Sequence, residues 1–527
     1  MKIKAFCVLS IGFSLAVFSE AARDKHSNNH HHHIHHERHA ANRVEVADAE
    51  IIGHLRQHHH VAPAGIPNLP YVDEKTQPSS PPPPHSPDHP VYPPIIAPSQ
   101  TRIITQPVKA PSVHGPGKAV GPIQDKKGAS QKKEPEAPAQ SAEASAQSGK
   151  KDKMVIAYWT DWTSGAMPPE AIPFEKVTHV NYAFAVVKPD FQPVFETDYL
   201  LNRVVREAHK KNVKVLMSVG GWTGSQYFSP LAASKHGRKT FIDGAIKMVK
   251  DYNLDGIDID WEYPGRIGSA CNVIDEKNDT KNFLTLLKEL REALNELPEG
   301  HKLEISLATR IVPFDGPDGI MKDVTEFAKV VNHINVMAYD INGSWSTVTG
   351  ANAPLSGSNP LTYMGGAQAW IDAGFPAEQI NMGVPFYGRS LVAENDMTRT
   401  QSMASPFVKK VPIGDNNDGL WTDPCEKTAS YSGVWKFKNL REQGVVDEQG
   451  NARAPWVRTF DQESHTPWLF NPETRQFISY DDRESLQLKV DYVKRKHLGG
   501  VMLWALNQDT TDFELLEVLQ NVRKNES

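Results

Sequence analysis

Cysteine is scarce, with three residues in 527. Once Cys7 is set aside with the leader described below, at most one bridge can form. Long apolar runs are also missing. The longest, Ala5 to Phe18, has 14 residues, short of the roughly 20 that a membrane-spanning helix needs. There is no excess of positive charge. Lys and Arg number 57 against 63 Asp and Glu, a formal net charge of -6, so nucleic acid is not an expected partner. A phosphate-binding loop is absent as well, because the glycine pair in Ser218-Val219-Gly220-Gly221 has neither the lysine nor the spacing of a P-loop.

At the N-terminus, Lys2 and Lys4 precede the apolar run, and Ser19-Glu20-Ala21 puts small residues at the minus-three and minus-one places. This is a secretory leader pattern over residues 1–21, so a secreted, extracellular protein with no membrane span is expected. In an oxidising compartment Cys271 and Cys425 are an even pair. One disulfide between them is expected, tying the loop after an acidic strand to a distant insertion. Three glycosylation sequons occur at Asn278, Asn342 and Asn525. Residues 22–150 change composition to a histidine-rich tract (His30 to His33, His58 to His60), then prolines, then a Lys/Ala/Ser/Gln/Glu stretch. With few aromatics and no sustained period, this segment reads as a disordered tail and linker. Its histidines could hold Zn²⁺ or Cu²⁺ loosely, or gain charge in acid and adhere to acidic polymers.

From residue 151 to 525 short β-branched and aromatic runs alternate with amphipathic helical ones. Strands are predicted at Met154 to Tyr158, Thr178 to Phe184, Val213 to Val219, Leu254 to Asp260, Leu303 to Thr309, His333 to Tyr339, Ile380 to Phe386 and Gly499 to Trp504. Helices are predicted at Leu200 to Lys210, Arg238 to Asp251, Asn282 to Leu297, Ile320 to Val330 and Leu486 to Lys496. The fold class is therefore α/β, and eight such units close a (β/α)₈ TIM barrel. The gap of about ninety residues after the seventh strand is too long for a bare loop. It predicts a small α+β insertion subdomain over 390–480, between strands seven and eight.

The most informative stretch is Leu254 to Pro264. Asp258, Asp260 and Glu262 fall on one parity, and Ile257, Ile259 and Trp261 on the other. In an α/β fold both faces of a strand are covered, so the three acids point inward. A column of buried carboxylates cannot ionise fully, and at least one pKa must rise toward neutrality. That is how a general acid is made. Glu262, at the C-terminal end of the strand where barrel enzymes place their chemistry, is the candidate proton donor.

The other strand ends supply Tyr158, Tyr182, Phe184, Ser218, Gly221, Trp222, Tyr263, Arg310, Met337, Tyr339, Asp340, Trp345, Tyr387 and Trp504. Rings interspersed with polar groups suit a carbohydrate, whose C–H faces stack while its hydroxyls hydrogen-bond. Clustered acids also suit Mg²⁺ or Ca²⁺. These acids, however, stand in line on one strand, with only Asp340 near them on another, so no metal and no cofactor is expected.

Asp255-Gly256-Ile257-Asp258-Ile259-Asp260-Trp261-Glu262 resembles the D-x-x-D-x-D-x-E signature of family 18 glycoside hydrolases, the secreted chitinases. Ser218-Val219-Gly220-Gly221 is similar to that family's S-x-G-G motif, Met337-Ala338-Tyr339-Asp340 to its M-x-Y-D motif, and Trp504 to its eighth-strand tryptophan. The resemblance covers about Lys153 to Val522. It implies a monomeric chitinase acting on chitin and chitooligosaccharides by substrate-assisted retention. Glu262 would be acid and base, and Asp260 would orient the substrate's acetamido group. Tyr339 would bond that group's oxygen, Asp340 would fix the sugar, and Tyr158 and Ser218 would support Asp258. Asp255, out of phase, reads as structural. The alternatives are a chitin-binding lectin, for which the acid would be lost, and an endo-β-N-acetylglucosaminidase using the same site.

Overall fold

The computed structural model describes residues 152–524. The leader at 1–21, the tail at 22–150 with its histidine tract, and the Asn525 sequon lie outside the described residues. Eight parallel strands form the barrel: β1 (Met154–Thr160), β2 (His179–Val187), β3 (Lys214–Gly220), β4 (Gly256–Asp260), β5 (Glu304–Arg310), β6 (His333–Met337), β7 (Ile380–Pro385) and, after the insertion, β14 (Gly500–Trp504). Each pairs with its neighbour, and β1 pairs with both β2 and β14, which closes the sheet. The predicted strands all appear, with ends moved by a few residues.

One parity of each strand faces outward. Val155, Ala157, Val215, Met217, Ile257 and Ile259 belong to a continuous apolar layer beneath the helices. These include α1 (Asp198–His209), α2 (Lys235–Tyr252), α3 (Asp279–Asn295), α4 (Tyr363–Asp372) and α5 (Arg483–Arg495). Helix α2 starts at Ser234, whose hydroxyl accepts from Gly237, and ends at Asn253 in the left-handed conformation. Helix α5 opens with a reciprocal capping box between Asp482 and Ser485.

Two regions depart from the sequence reading. Between β1 and β2 the chain makes only 3₁₀ turns, two of them starting beside Pro168 and Pro173. The helix expected at Ile320 to Val330 shrinks to Thr325–Ala328, while Ile320, half exposed, pairs in a two-residue hairpin with Asp315. Gly316 to Gly319 supplies the turn, and Asp323, accepting from the Thr325 amide, marks the true helix start. The pair Gly365 and Gly366 weakens the helical pattern of α4. Gly366 packs so closely on Ile311 that a Cβ would lie 2.6 Å from the isoleucine side chain.

The insertion begins directly after β7. Its six-stranded antiparallel sheet contains β8 (Tyr387–Ala393), β9 (Phe407–Val408), β10 (Val434–Lys436), β11 (Val457–Asp461), β12 (Thr466–Phe470) and β13 (Gln476–Ser479). Helices Met397–Thr400 and Phe437–Glu442 make it the expected α+β unit. Where the chain returns to the barrel, Lys489 of α5 meets Asp481 at 2.6 and 2.7 Å, and Ser485 donates to the same carboxylate at 2.7 Å. Both charges are fully buried. Losing one partner leaves the other uncompensated, so Lys489→Met should cost about 3–5 kcal/mol. It should lower Tm in calorimetry, and an unchanged Tm would show that the pair does not hold this junction.

Candidate active site

The regular part of β4 ends at Asp260, two residues short of Glu262. The alternation nevertheless persists. Trp261 packs outward between Phe228 and Phe283, with ring centroids 5.4 and 5.2 Å away. This holds Glu262 on the same inward parity as Asp258 and Asp260. All three acids are buried.

Asp258, at the bottom of the column, is fully solvated by protein. One of its oxygens accepts from Tyr158 and Ser218, each at 2.7 Å, and the other from Ser306 at 2.5 Å and Asn335 at 3.5 Å. Ser218 and Ser306 are its register partners on β3 and β5. The sheet pairing that closes the barrel therefore also supplies the donors. Burial raises the Asp258 pKa, and these hydrogen bonds oppose the rise.

Asp260 and Glu262 have no such compensation. Asp260 Oδ1 and both carboxylate oxygens of Glu262 are buried without a hydrogen bond of ordinary geometry among the described residues. Burial drives the Asp260 pKa well up, reinforced by the charges of Glu262 and Asp258. Burial also raises Glu262 to about 8, the Asp340 charge adds to it, and the adjacent Tyr263 hydroxyl pulls the other way. At the opposite end of the barrel Glu304 is also buried. There His179 at 3.1 Å and a close Lys214 outweigh the burial and hold its carboxyl well below the usual range. The two ends differ in compensation rather than in depth.

Around the acids, Tyr339 at the end of β6 has its phenol raised by burial and by the Asp260, Asp340, Glu262 and Asp258 charges. Asp340, with φ 58°, accepts at one oxygen from Tyr387 at 2.7 Å and Arg389 at 2.5 Å. The Arg389 guanidinium lies 4.9 Å from the centroid of the Trp345 ring. Asn352 fastens this corner: it accepts from the Asp340 amide at 3.1 Å, donates to the Tyr387 carbonyl at 3.3 Å, and its own amide donates to Ser479 at 2.7 Å.

Aromatic residues floor the cleft. Trp504 stacks on Phe184 at 5.6 Å with planes 16° apart, Phe184 on Trp162 at 6.1 Å, and Tyr158 lies 5.4 Å from Trp504. The same cluster takes in Met337, Tyr339, Tyr387 and Tyr263. Gly220 and Gly221, with φ of 119° and 74°, let β3 turn here. A Cβ on Gly220 would lie 2.1 Å from the Asp260 carbonyl, and one on Gly221 would lie 2.8 Å from Phe184. Trp222, next in the chain, is buried. Two rim residues lie apart: the Tyr182 hydroxyl bonds Thr197, and Arg310 is engaged by Asp315. Asp255, out of phase, accepts from the Val215 amide at 2.8 Å and meets His209 at 2.9 Å, away from the acids. Cys271 and Cys425 form a disulfide across a Cα separation of 5.2 Å.

Several residues of this site, Trp162 among them, escaped the sequence reading. Ser306 and Asn335 could have been found as single polar residues inside otherwise apolar strands, and Arg389 as the residue two beyond Tyr387 on the same strand face. Asn352 and Asn272, both in loops, gave no signal.

The model of the glycosyl hydrolases family 18 matches residues 154–509. A "chitinase-like effector" of Moniliophthora roreri is 36% identical over 373 residues, which is 68% of this chain and 89% of that protein. The crystal structure of a chitinase from Rhizomucor miehei is 37% identical with a TM-score of 0.66, covering 71% of this chain and 100% of that one. A Group IV chitinase of Ostrinia furnacalis, in complex with allosamidin, is 29% identical with a TM-score of 0.59, covering 70% of this chain and 98% of that one. The chain belongs to the glycosyl hydrolases family 18.

Proposed function

We propose that this protein is a secreted chitinase that hydrolyses β-1,4 links between N-acetylglucosamine units with retention of configuration. The observation that carries the reading is Glu262, buried with only the Tyr263 hydroxyl to offset that burial and raised to about 8, at the top of an aromatic-floored cleft. A carboxyl in that state still carries its proton at neutral pH and gives it up when a basic oxygen arrives. The chitinase names of the similar structures support chitin as the substrate.

In the mechanism, Glu262 protonates the glycosidic oxygen. The substrate's own acetamido carbonyl attacks the anomeric carbon, the leaving sugar departs, and an oxazolinium ion forms. Asp260 accepts the acetamido N–H and so orients that group for attack. The Tyr339 hydroxyl donates to the acetamido oxygen, and Asp340, held by Tyr387 and Arg389, fixes the sugar hydroxyls. Glu262, now a carboxylate, takes a proton from water as the water opens the ring on the face that keeps the original configuration. Tyr158, Ser218, Ser306 and Asn335 hold Asp258 fixed beneath. Phe184, Trp222, Tyr263, Met337, Trp345 and Trp504 offer surfaces on which pyranose faces stack.

A second reading, a chitin-binding protein without turnover, is favoured by the relative named a chitinase-like effector. Incubation with a defined N-acetylglucosamine hexamer separates the two. Shorter oligomers whose new reducing ends are initially β are expected, and the intact hexamer, or α products, would contradict hydrolysis with retention.

Glu262→Gln is expected to abolish turnover while oligosaccharide binding persists, as read by calorimetric titration. Because the folded pKa lies above the ordinary 4.5, the neutral form favours the folded state. That stability is lost as pH rises from about 4.5 toward about 8. The same variant should therefore gain Tm over wild type, more at alkaline than at mildly acidic pH. For wild type, kcat/KM should fall as pH rises through about 8, where the acid loses its proton. Asp260→Asn removes the carboxyl whose titration is linked to that of Glu262, so it should lower turnover and displace that alkaline limb. An unmoved limb would show that the two carboxyls do not share their protons.

A further inference from the structure

The acid carboxylate of Glu262 has only the adjacent Tyr263 hydroxyl as a close side-chain partner among the described residues, so its backbone largely fixes where it points. Two buried side chains grip that backbone from opposite sides. Ser225 accepts from the Glu262 amide at 2.9 Å and lies within hydrogen-bonding reach of the carbonyls of Gly221 at 2.8 Å and Asp260 at 3.1 Å. It thereby joins the turn after β3 to the end of β4. On the other side the Asn272 side-chain amide donates to the Glu262 carbonyl at 2.8 Å.

Ser225 sits in a short helical turn, packed under the barrel mouth. Asn272 belongs to the long loop after β4, which has no regular structure before α3 begins at Asp279. That loop is tied down at few points near Asn272. The Asn272 amide donates to Ser269 at 3.0 Å, and the next amide, of Val273, donates to the Gln226 carbonyl at 3.1 Å. A further tie is covalent: Cys271, adjacent to Asn272, is bonded to Cys425 of the insertion, 154 residues away in sequence. Gly268 leaves room for the contact, since a Cβ there would lie 2.0 Å from the Glu262 carbonyl and 3.2 Å from the Asn272 amide nitrogen.

We propose that Asn272, anchored through the Cys271–Cys425 disulfide to the insertion subdomain, is a positioning residue that sets the placement of the Glu262 carboxyl. The insertion thus acts on the acid through this loop. This rests on Glu262 being the proton donor. A displacement of about 1 Å at such a group costs on the order of 100-fold in rate, and a carboxyl that moves in a graded environment titrates at a different pH.

The test uses the full-length protein in three forms: Asn272→Ala, the double variant Cys271→Ser with Cys425→Ser, and wild type reduced under native conditions. Two readouts are taken alongside Tm. One is the pH profile of kcat and KM on a chromogenic chitooligosaccharide. The other is the titration of Glu262 by ¹³C NMR of glutamate-labelled protein, with Glu262→Gln assigning the signal. Asn272→Ala is expected to lower kcat about 10- to 100-fold at little changed KM, and to displace both the alkaline limb and the NMR midpoint. The disulfide-free forms are expected to shift the midpoint in the same direction by less. A merely structural loop would lower Tm and leave the midpoint at its wild-type position, and that result in Asn272→Ala or in the disulfide-free forms would overturn the proposal. If Asn272→Ala does not fold, the reduced wild type decides. The NMR midpoint does not depend on turnover, whereas full activity in Glu262→Gln would count against Glu262 being the proton donor.

Discussion

The site depends on one asymmetry in how buried charge is compensated. Asp258, the lowest of the three acids, is met by four donors from four other strands. Asp260 and Glu262, directly above it, are as deeply buried and lack comparable partners. A carboxylate in low dielectric is costly unless it is hydrogen-bonded or protonated. The lower acid meets the first condition and the upper two are driven toward the second. The arrangement opposes folding stability locally, which is the usual relation between a reactive group and its scaffold.

The barrel makes this possible because each strand brings one residue per level to the interior. Ser218, Asp258 and Ser306 are register partners across three strands, so a shift of one residue in either pairing would send Asp258 to the apolar outer layer and remove its donors together. The insertion completes the upper level. Its first strand carries Tyr387 and Arg389, which hold Asp340, and Asn352 ties that strand and the last one to the end of β6. The subdomain is thus built into the rim on one side through hydrogen bonds, and on the other through Cys425.

Much of this was legible in the sequence because the information is periodic. The eight strands announce themselves as short apolar runs, and the alternation from Asp258 to Glu262 places three acids on one face even though regular strand hydrogen bonding stops at Asp260. The helix expected at Ile320 failed because a turn sequence at Gly316 to Gly319 and a local Asp323 side-chain bond to the Thr325 amide override a weakly periodic run. Asn352 and Asn272 were invisible for a different reason. Each acts through contacts with residues distant in sequence or from an irregular loop, and a loop asparagine looks the same whether it faces water or a buried carbonyl. Only the three-dimensional closure of the barrel tells them apart.

Burial that the Tyr263 hydroxyl only partly offsets keeps the Glu262 carboxyl protonated at neutral pH. Infrared difference spectroscopy between wild type and Glu262→Gln, followed across the pH range, reads that proton directly. A carboxylic acid C=O band that persists at neutral pH and disappears with a midpoint near 8 is the expected result. A band already lost near the ordinary value of 4.5 would contradict the account.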